Sequence, residues 1–164
     1  MRQILAMALA VWLSFGLPAR ADDLTGIAHV IDGDTIDVGT VRVRLHGIDA
    51  PEWSQVCTGW FASPWRCGQT ASRYLARLAE GREVHCPSHR GRDRYGRTIA
   101  VFYLGDVDLN RAMVASGLAW AFRRYSLDYV EVENQARSAR LGIWYAPNTT
   151  AEGHRLAQRQ RSTP

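Results

Sequence analysis

The sequence predicts an α+β fold, mainly β, whose five short strands and about three helices fit a small Greek-key barrel. Five short segments alternate apolar with polar residues or are rich in β-branched residues, as strands are. Three longer segments place apolar residues three and four positions apart, which is typical of helices that cover a core. The pattern alone is also compatible with other α+β arrangements.

The predicted strands cover residues 24–31, 35–38, 41–45, 83–86 and 98–104. The third strand is the most informative, because Val41, Val43 and Leu45 alternate with polar residues. Successive side chains of a strand point to opposite faces. Arg44 therefore points away from the apolar face, where a ligand could contact it.

Three helices are predicted between and after these strands. The first covers residues 69–79 and ends before Gly81, because glycine commonly terminates a helix. The second begins after Asp108, a favourable N-cap residue, and ends at Gly117. The third runs from about residue 126 to residue 141, before Gly142.

The first 21 residues have the pattern of a secretory signal. A charged start precedes an apolar run at residues 4–17, and Ala19-Arg20-Ala21 is an A-x-A cleavage site. The alternative, an uncleaved anchor, is disfavoured because this run is shorter than the roughly 20 residues that span a bilayer. We expect an exported protein, periplasmic or secreted, with no stable membrane association after cleavage.

Cleavage would leave about 143 residues, the size of a single domain, expected to be a monomer. The domain is predicted to cover residues 22–146. Residues 147–164 are polar and are predicted to form a flexible tail, in which Ala, Arg and Gln could support a short exposed helix.

Acidic and basic residues concentrate in three strings: VIDGDTIDV (30–38), VRLHGIDAPE (43–52) and DRYGR (93–97). Asp34, Asp49 and Glu52 offer oxygen ligands, which suit a hard cation such as calcium better than zinc. Arg44 and Arg97 match the planar face of a phosphate. The string Asp-Gly-Asp by itself is also typical of a hairpin turn, but its pairing with the second acidic string favours a metal site.

In order and spacing these strings, followed by NRAMVASGLAW and ARLGIW, resemble the staphylococcal-nuclease-like family, the thermonucleases. The resemblance covers about residues 24–145. It implies that the barrel is an OB-fold and that the protein is a calcium-dependent phosphodiesterase acting on DNA and RNA. It also implies that the bond to the 5′ oxygen breaks, which leaves a 3′-phosphate.

The resemblance assigns roles to the acidic residues. Asp34 and Asp49 correspond to the metal ligands, Ala50 offers its backbone carbonyl, and Asp32 lies behind them. Position 50 is often threonine in the family, but a carbonyl ligand does not depend on the side chain. Glu52 corresponds to the group that orients or deprotonates the attacking water.

The resemblance also assigns roles to basic and aromatic residues. Arg44 and Arg97 correspond to the phosphate-binding arginines, which stabilise charge in the transition state. Tyr125 corresponds to a tyrosine that packs against the nucleotide, and a second family tyrosine falls on either Phe122 or Arg123. Trp53 could stack on a base or pack against the barrel.

Arg94 is a further possible nucleotide contact, because it lies in a cluster with Arg90, Arg92 and Arg97. Such a cluster could attract a polyanion or could be a solvated surface. The formal net charge of +4 includes two arginines of the predicted signal, so net charge alone is a weak argument for a nucleic-acid partner.

The remaining expectations concern cysteine, tryptophan and histidine. Of the three cysteines, Cys57 and Cys67 are expected to form a bridge that would stiffen the segment after Glu52. Cys86 would then be buried and free. A bridge from Cys57 or from Cys67 to Cys86 is also compatible with the sequence. Trp120 and Trp144 are expected in the core. His46 and His85 are expected to face solvent.

Two other classes of function compete with the enzyme. A nucleic-acid-binding OB-fold module without catalysis would tolerate loss of the acids or the arginines, yet the sequence retains all of them. A secreted calcium-stabilised scaffold would have no reason to keep Arg44 and Arg97 beside the metal residues.

Overall fold

The computed structural model describes residues 23–162, so the predicted signal at residues 1–21 lies outside the described residues. The strands in this part of the chain are β1 (Leu24–Val30), β2 (Thr35–Val38), β3 (Val41–Leu45), β4 (Ile48–Asp49), β5 (Cys57–Thr58), β6 (Pro64–Trp65), β7 (Glu83–Cys86), β8 (His89–Arg92), β9 (Thr98–Ala100), β10 (Tyr103–Leu104), β11 (Val107–Asp108) and β12 (Trp120–Ala121). The helices are α1 (Cys67–Ala79), α2 (Leu109–Ala115), α3 (Val130–Ser138) and α4 (Ala151–Arg161), with short 3₁₀ helices at Trp60–Ala62 and Gly142–Trp144. Within these residues no helix has the length and apolar character needed to cross a membrane.

Eight strands form one sheet in the order β11-β10-β7-β1-β2-β3-β9-β8. Neighbouring strands are antiparallel except β3 and β9, which are parallel. The sheet curls into a half-barrel, and the α+β, OB-fold-like class predicted from the sequence is confirmed.

The number of strands differs from the five that the sequence predicts. Strand β8 has the sequence HRGR, which carries no apolar alternation, and β10 and β11 have two residues each. The predicted strand 98–104 is interrupted at Phe102, whose backbone N–H donates to the Asn110 side chain and whose carbonyl accepts from Leu109. Such short or interrupted strands give too little periodicity to be recognised.

The helices pack where their apolar faces predict. In α1 the buried face includes Ala71, Leu75 and Ala79, which belong to the main core with barrel residues such as Phe102. Helix α2 is capped by Asp108, the residue before its first residue, whose carboxylate accepts the N–H of Arg111 at 2.8 Å. These interactions hold both helices against the half-barrel.

Helix α3 is shorter than the predicted helix. Its first residue is Val130, because Ser126 accepts the N–H of Asp128 with its hydroxyl and the chain enters the helix through a turn. Side-chain bonds of this kind compete with helix formation. Beyond the helix, Arg140 has a φ of 52°, so its backbone is left-handed and does not extend the helix.

Helix α4 lies inside the segment predicted to be a polar tail. Thr150 caps it by accepting the N–H of Gly153 at 3.2 Å. Its first residue, Ala151, is fully buried in a second apolar cluster with Trp120 and Ile143. The helix is therefore attached to the domain through its N-terminus.

A disulfide joins Cys57 to Cys67, and Cys86 is buried and free. The bridge closes the loop between the segment of Glu52 and helix α1. Cys57 and Cys67 belong to the apolar cluster that contains Ala151, so the bridge also lies beside the start of α4.

Candidate active site

Two buried aspartates share one arginine at the end of the half-barrel. Arg44 donates to Asp34 at 2.6 Å and to Asp49 at 2.7 Å. The pairing of β2 with β3 places Arg44 opposite Thr35, next to Asp34, and the chain then turns at Gly47 to bring Asp49 back in β4. The strand alternation that predicts an outward-facing Arg44 thus directs it onto both predicted metal ligands.

Asp34 is held from several sides. Its carboxylate accepts the backbone N–H of Ala50 at 2.9 Å and the hydroxyl of Thr35 at 3.2 Å. The carboxylate of Asp32, which lines the open cleft of the site, accepts the backbone N–H of Asp34 at 3.0 Å. Burial raises the pKa of Asp34 to about 6, with Asp32 adding to the rise and Arg44 opposing it.

Glu52 lies at the edge of the same arrangement and is about a third exposed. Gln55, which is buried, accepts the backbone N–H of Glu52 through its side-chain oxygen at 3.2 Å. The Glu52 carboxylate accepts from Arg155 of helix α4 at 2.5 Å. Its position is thus determined both by the neighbouring loop and by the C-terminal helix.

Arg97 also lines the cleft, and it directly precedes β9, the neighbour of β3 in the sheet. It follows the β8–β9 turn, and its Nη1 lies 3.5 Å from the Thr35 hydroxyl. The turn is closed by Asp93, whose carboxylate accepts the backbone N–H groups of Tyr95 and Arg97. The sequence string DRYGR therefore forms a turn that directs its last arginine toward the buried aspartates.

An open cleft of about 940 Å³ is lined by Asp34, Arg44, Glu52 and Arg97. Asp49 lies beside the cleft, bonded to Arg44. The outer walls are basic and aromatic, with contributions from Arg90, Arg92, Arg94, Arg124, Tyr95 and Tyr125. Acidic groups at the base and arginines on the walls suit an anionic polymer that meets a cation at its centre.

The aromatic residues divide between cleft and core. Tyr125 is 61% exposed and meets Phe122 edge to face, with ring centroids 4.8 Å apart. Both line the cleft, whereas Arg123 turns away and pairs with the buried Glu133. Of the two positions left open for the second family tyrosine, Phe122 is the one in the cleft.

Trp53 is 53% exposed, so the residue lies at the surface and not in the core, and both alternatives, stacking on a base and packing against the outside of the barrel, stay predictions. Trp120 is buried and Trp144 packs against the second apolar cluster, as expected. The expectation that His46 faces solvent is wrong, because its side chain lines the cleft and the residue is only 9% exposed. Burial lowers the pKa of His46, and Arg90 lowers it further.

Sequence reasoning did not single out Gln55 or Arg155. Gln55 carries no sequence signal, because its burial depends on contacts with distant segments. Arg155 did carry a sequence signal, because Glu152, Arg155, Leu156 and Arg159 have the spacing of residues on one face of a helix. In the structure all four line the cleft. Thr150 before this run is a favourable N-cap, but polar residues alone do not show which surface a helix covers.

The donor set fits a hard cation. Asp34 and Asp49 offer only oxygen, and burial with nearby acidic groups disfavours the negative charge on Asp34. In residues 23–162 no group of three His, Cys, Asp or Glu side chains is arranged to hold an ion. An ion here would depend on the two carboxylates, a main-chain carbonyl such as that of Ala50, and water, ligands that calcium accepts.

Comparison with known proteins agrees with the geometry. The family described as staphylococcal nuclease homologue matches residues 42–146. A "Micrococcal nuclease" of Shigella flexneri is 39% identical over 160 residues, covering 87% of this chain and 86% of that protein. An "Uncharacterized endonuclease" of Escherichia coli O157:H7 is 33% identical over 152 residues, covering 88% and 90%.

A third relative carries a different kind of name. The "Succinoglycan biosynthesis protein ExoI" of Rhizobium meliloti (strain 1021) is 39% identical over 129 residues, covering 77% of this chain and 67% of that protein. The sequence motifs, the half-barrel and the length of the matches all indicate the same family. The chain belongs to the staphylococcal nuclease homologue family.

Proposed function

We propose that the protein is a calcium-dependent nuclease that hydrolyses phosphodiester bonds of DNA and RNA. Membership of the family and the relatives named as nucleases support nuclease activity. The observation that carries the proposal is the convergence of Arg44, Glu52 and Arg97 on one cleft, next to two buried aspartates.

In this proposal Asp34, Asp49 and the carbonyl of Ala50 hold the calcium ion. When bound there, calcium supplies positive charge beside the phosphate oxygens. Glu52 orients the attacking water or takes its proton, and its partial exposure leaves room for that water.

The two arginines hold the phosphate. Arg44 and Arg97 are always charged, so they stabilise the negative charge that develops in the transition state and do not donate protons to the leaving group. Arg44 is fixed by two short hydrogen bonds and Arg97 by its turn, so both are oriented before substrate binds. Such preorganisation is where electrostatic catalysis gains most.

The walls of the cleft are proposed to bind the rest of the strand. Tyr125 is exposed enough to contact a nucleotide, and Arg94, which is also exposed, lines the same cleft. Base stacking on aromatic side chains tolerates any sequence, and arginines follow the backbone charge. A single-stranded polymer suits a cleft of this kind.

We further propose that the protein acts outside the cytoplasm, periplasmic or secreted, as a monomer. The signal pattern at residues 1–21 and the Cys57–Cys67 bridge support the location outside the cytoplasm, because disulfides persist in oxidising compartments.

The test is a cleavage assay on the mature protein. Denatured DNA and RNA are incubated with the protein in calcium or in EGTA, and the ends of the products are identified. Calcium-dependent cleavage with 3′-phosphate ends is the expected result. Binding of both polymers without any cleavage would instead support the non-catalytic OB-fold module.

A further inference from the structure

Helix α4 places an arginine directly on two acidic residues of the site. Arg155 donates to both carboxylate oxygens of Asp49, at 3.1 and 3.0 Å, and to Glu52 at 2.5 Å. The Arg155 side chain is 30% exposed, whereas that of Asp49 is only 4% exposed. A single guanidinium therefore covers one proposed metal ligand and the proposed general base.

The position of Arg155 is set by the fold. The carbonyl of Thr149 accepts from Gln55 at 2.8 Å, and the Asn148 side chain exchanges hydrogen bonds with the backbone of Thr58. Ala151, the first residue of the helix, is fully buried. Arg155, one turn further on, is thereby held over the carboxylates.

Asp49 has no spare oxygen in this arrangement. Its Oδ1 accepts from both Arg44 and Arg155, and its Oδ2 accepts from Arg155. The carboxylate of Asp34, by contrast, accepts hydrogen bonds from Thr35, Arg44 and Ala50. Arg155 is not among these donors. A cation held by Asp49 would therefore either displace Arg155 from an oxygen or share that oxygen with the guanidinium, next to which its own positive charge is disfavoured.

Two cations that need the same oxygen compete for it. A guanidinium stays charged at any pH at which the protein is folded, so Arg155 remains a competitor throughout. Competition lowers the apparent affinity for the metal, and the metal in turn weakens the hold on Arg155 by the same factor. Because Arg155 also binds Glu52, its displacement would free that carboxylate for water.

We propose that Arg155 is a positioning residue that competes with calcium for Asp49 and thereby sets the calcium concentration at which the site fills and Glu52 becomes available. The inference rests on the proposed calcium site. It assigns to the C-terminal helix control over cation binding, a role separate from contact with the phosphate.

The test is calcium binding in the absence of nucleic acid, measured by titration calorimetry. The mature protein is compared with Arg155→Ala, Arg155→Lys and Arg161→Ala. Arg161 is the matched control, an exposed arginine on the same helix that does not line the cleft. We expect about tenfold tighter calcium binding in Arg155→Ala, on the scale of a hydrogen-bonded charge pair.

The lysine variant refines the result. Arg155→Lys keeps a positive charge but lacks the planar fork that donates to both oxygens of Asp49 and to Glu52 at once, so its calcium affinity should lie between those of the parent and of Arg155→Ala. Arg161→Ala should match the parent. Equal affinity in all four proteins, or weaker binding in Arg155→Ala, would overturn the competition.

A second readout uses the unaltered protein and does not depend on how the variants fold. In ¹⁵N-labelled protein the Arg155 Nε–H resonance should shift and exchange faster with solvent as calcium is added, while that of Arg161 stays constant. An unchanged Arg155 resonance in calcium-saturated protein would also overturn the inference. Failure of the parent and of every variant to bind calcium would instead remove the proposed metal site itself, and the inference with it.

Discussion

Arg97 donates to a single carboxylate oxygen of Asp93 through two nitrogens, Nε at 2.8 Å and Nη2 at 2.7 Å. The two residues are four positions apart, at the ends of the β8–β9 turn. Burial alone would raise the pKa of Asp93, but the hydrogen bonds from Arg97 and from the backbone N–H groups of Tyr95 and Arg97 outweigh it and lower the pKa. The charged pair thus sets the direction of the proposed phosphate-binding arginine.

The first prediction concerns this pair. Asp93→Asn keeps an acceptor for the backbone N–H groups of the turn but removes the charge that orients Arg97. We expect the single-turnover cleavage rate to fall by about tenfold to a hundredfold, the cost of a misplaced catalytic group. Asp106→Asn, an exposed turn residue away from the cleft, is the control. An unchanged rate in Asp93→Asn would show that the turn alone positions Arg97.

The second prediction concerns the buried aspartates. Asp34→Ala and Asp49→Ala should each abolish calcium-dependent cleavage, because calcium with one of its two carboxylates removed is held too weakly. Asp106→Ala, at an exposed turn that does not line the cleft, should leave cleavage intact. Circular dichroism checks that each variant folds. Full activity of either site variant, or of the parent in EGTA, would contradict the metal assignment.

The third prediction tests the arginines. Arg97→Lys keeps the charge but loses the planar fork, so substrate affinity should barely change. The rate should fall about a hundredfold or more, corresponding to roughly 2.7–4 kcal/mol of barrier for one preorganised donor. Arg44→Lys should behave similarly, and the double variant should lose less than the product of both losses. Single-turnover rates and substrate affinities are measured for all three.

Arg111→Lys, on an exposed position of helix α2, is the control for this series. A parental rate in Arg97→Lys would mean that this arginine is only surface charge. Arg44 differs in one respect, because it also links Asp34 to Asp49. We therefore expect Arg44→Lys, but not Arg97→Lys, to lower the thermal stability as well.

The fourth prediction concerns the disulfide. Mass spectrometry of non-reduced peptides should find Cys57 joined to Cys67 and Cys86 free. Replacing both bridged cysteines by serine should lower the free energy of unfolding by about 3 kcal/mol, the chain-entropy value for a loop of this size. Chemical denaturation measures the loss. A linked peptide that contains Cys86 would contradict the pairing.

The fifth prediction concerns pH. The pKa of His46 in the folded protein is lowered from 6.5 by burial, so the unfolded chain takes up the proton more readily. The contribution of His46 to the free energy of unfolding is therefore full above about 6.5 and is lost as pH falls below that value. Denaturation of the parent and of His46→Gln from pH 8 to pH 5 should show a smaller loss in the variant. His85→Gln, at an exposed position, should follow the parent.

The sequence by itself determined the features that depend on neighbouring residues. Alternation along residues 41–45 placed Arg44 on the polar face, and Asp108 marked the start of α2. The spacing of the acidic and basic strings was enough to recognise the family and its fold. These signals are readable because strand alternation, helix capping and turn formation act over only a few residues.

Tertiary structure alone decided the contacts between distant segments. Arg155 meets Asp49 from a position 106 residues away, and Gln55 meets Thr149 across 94 residues. The burial of His46 and the additional short strands were likewise not evident from the sequence. Such contacts depend on where whole elements pack, since a polar helix like α4 carries no apolar stripe to show which surface it will cover.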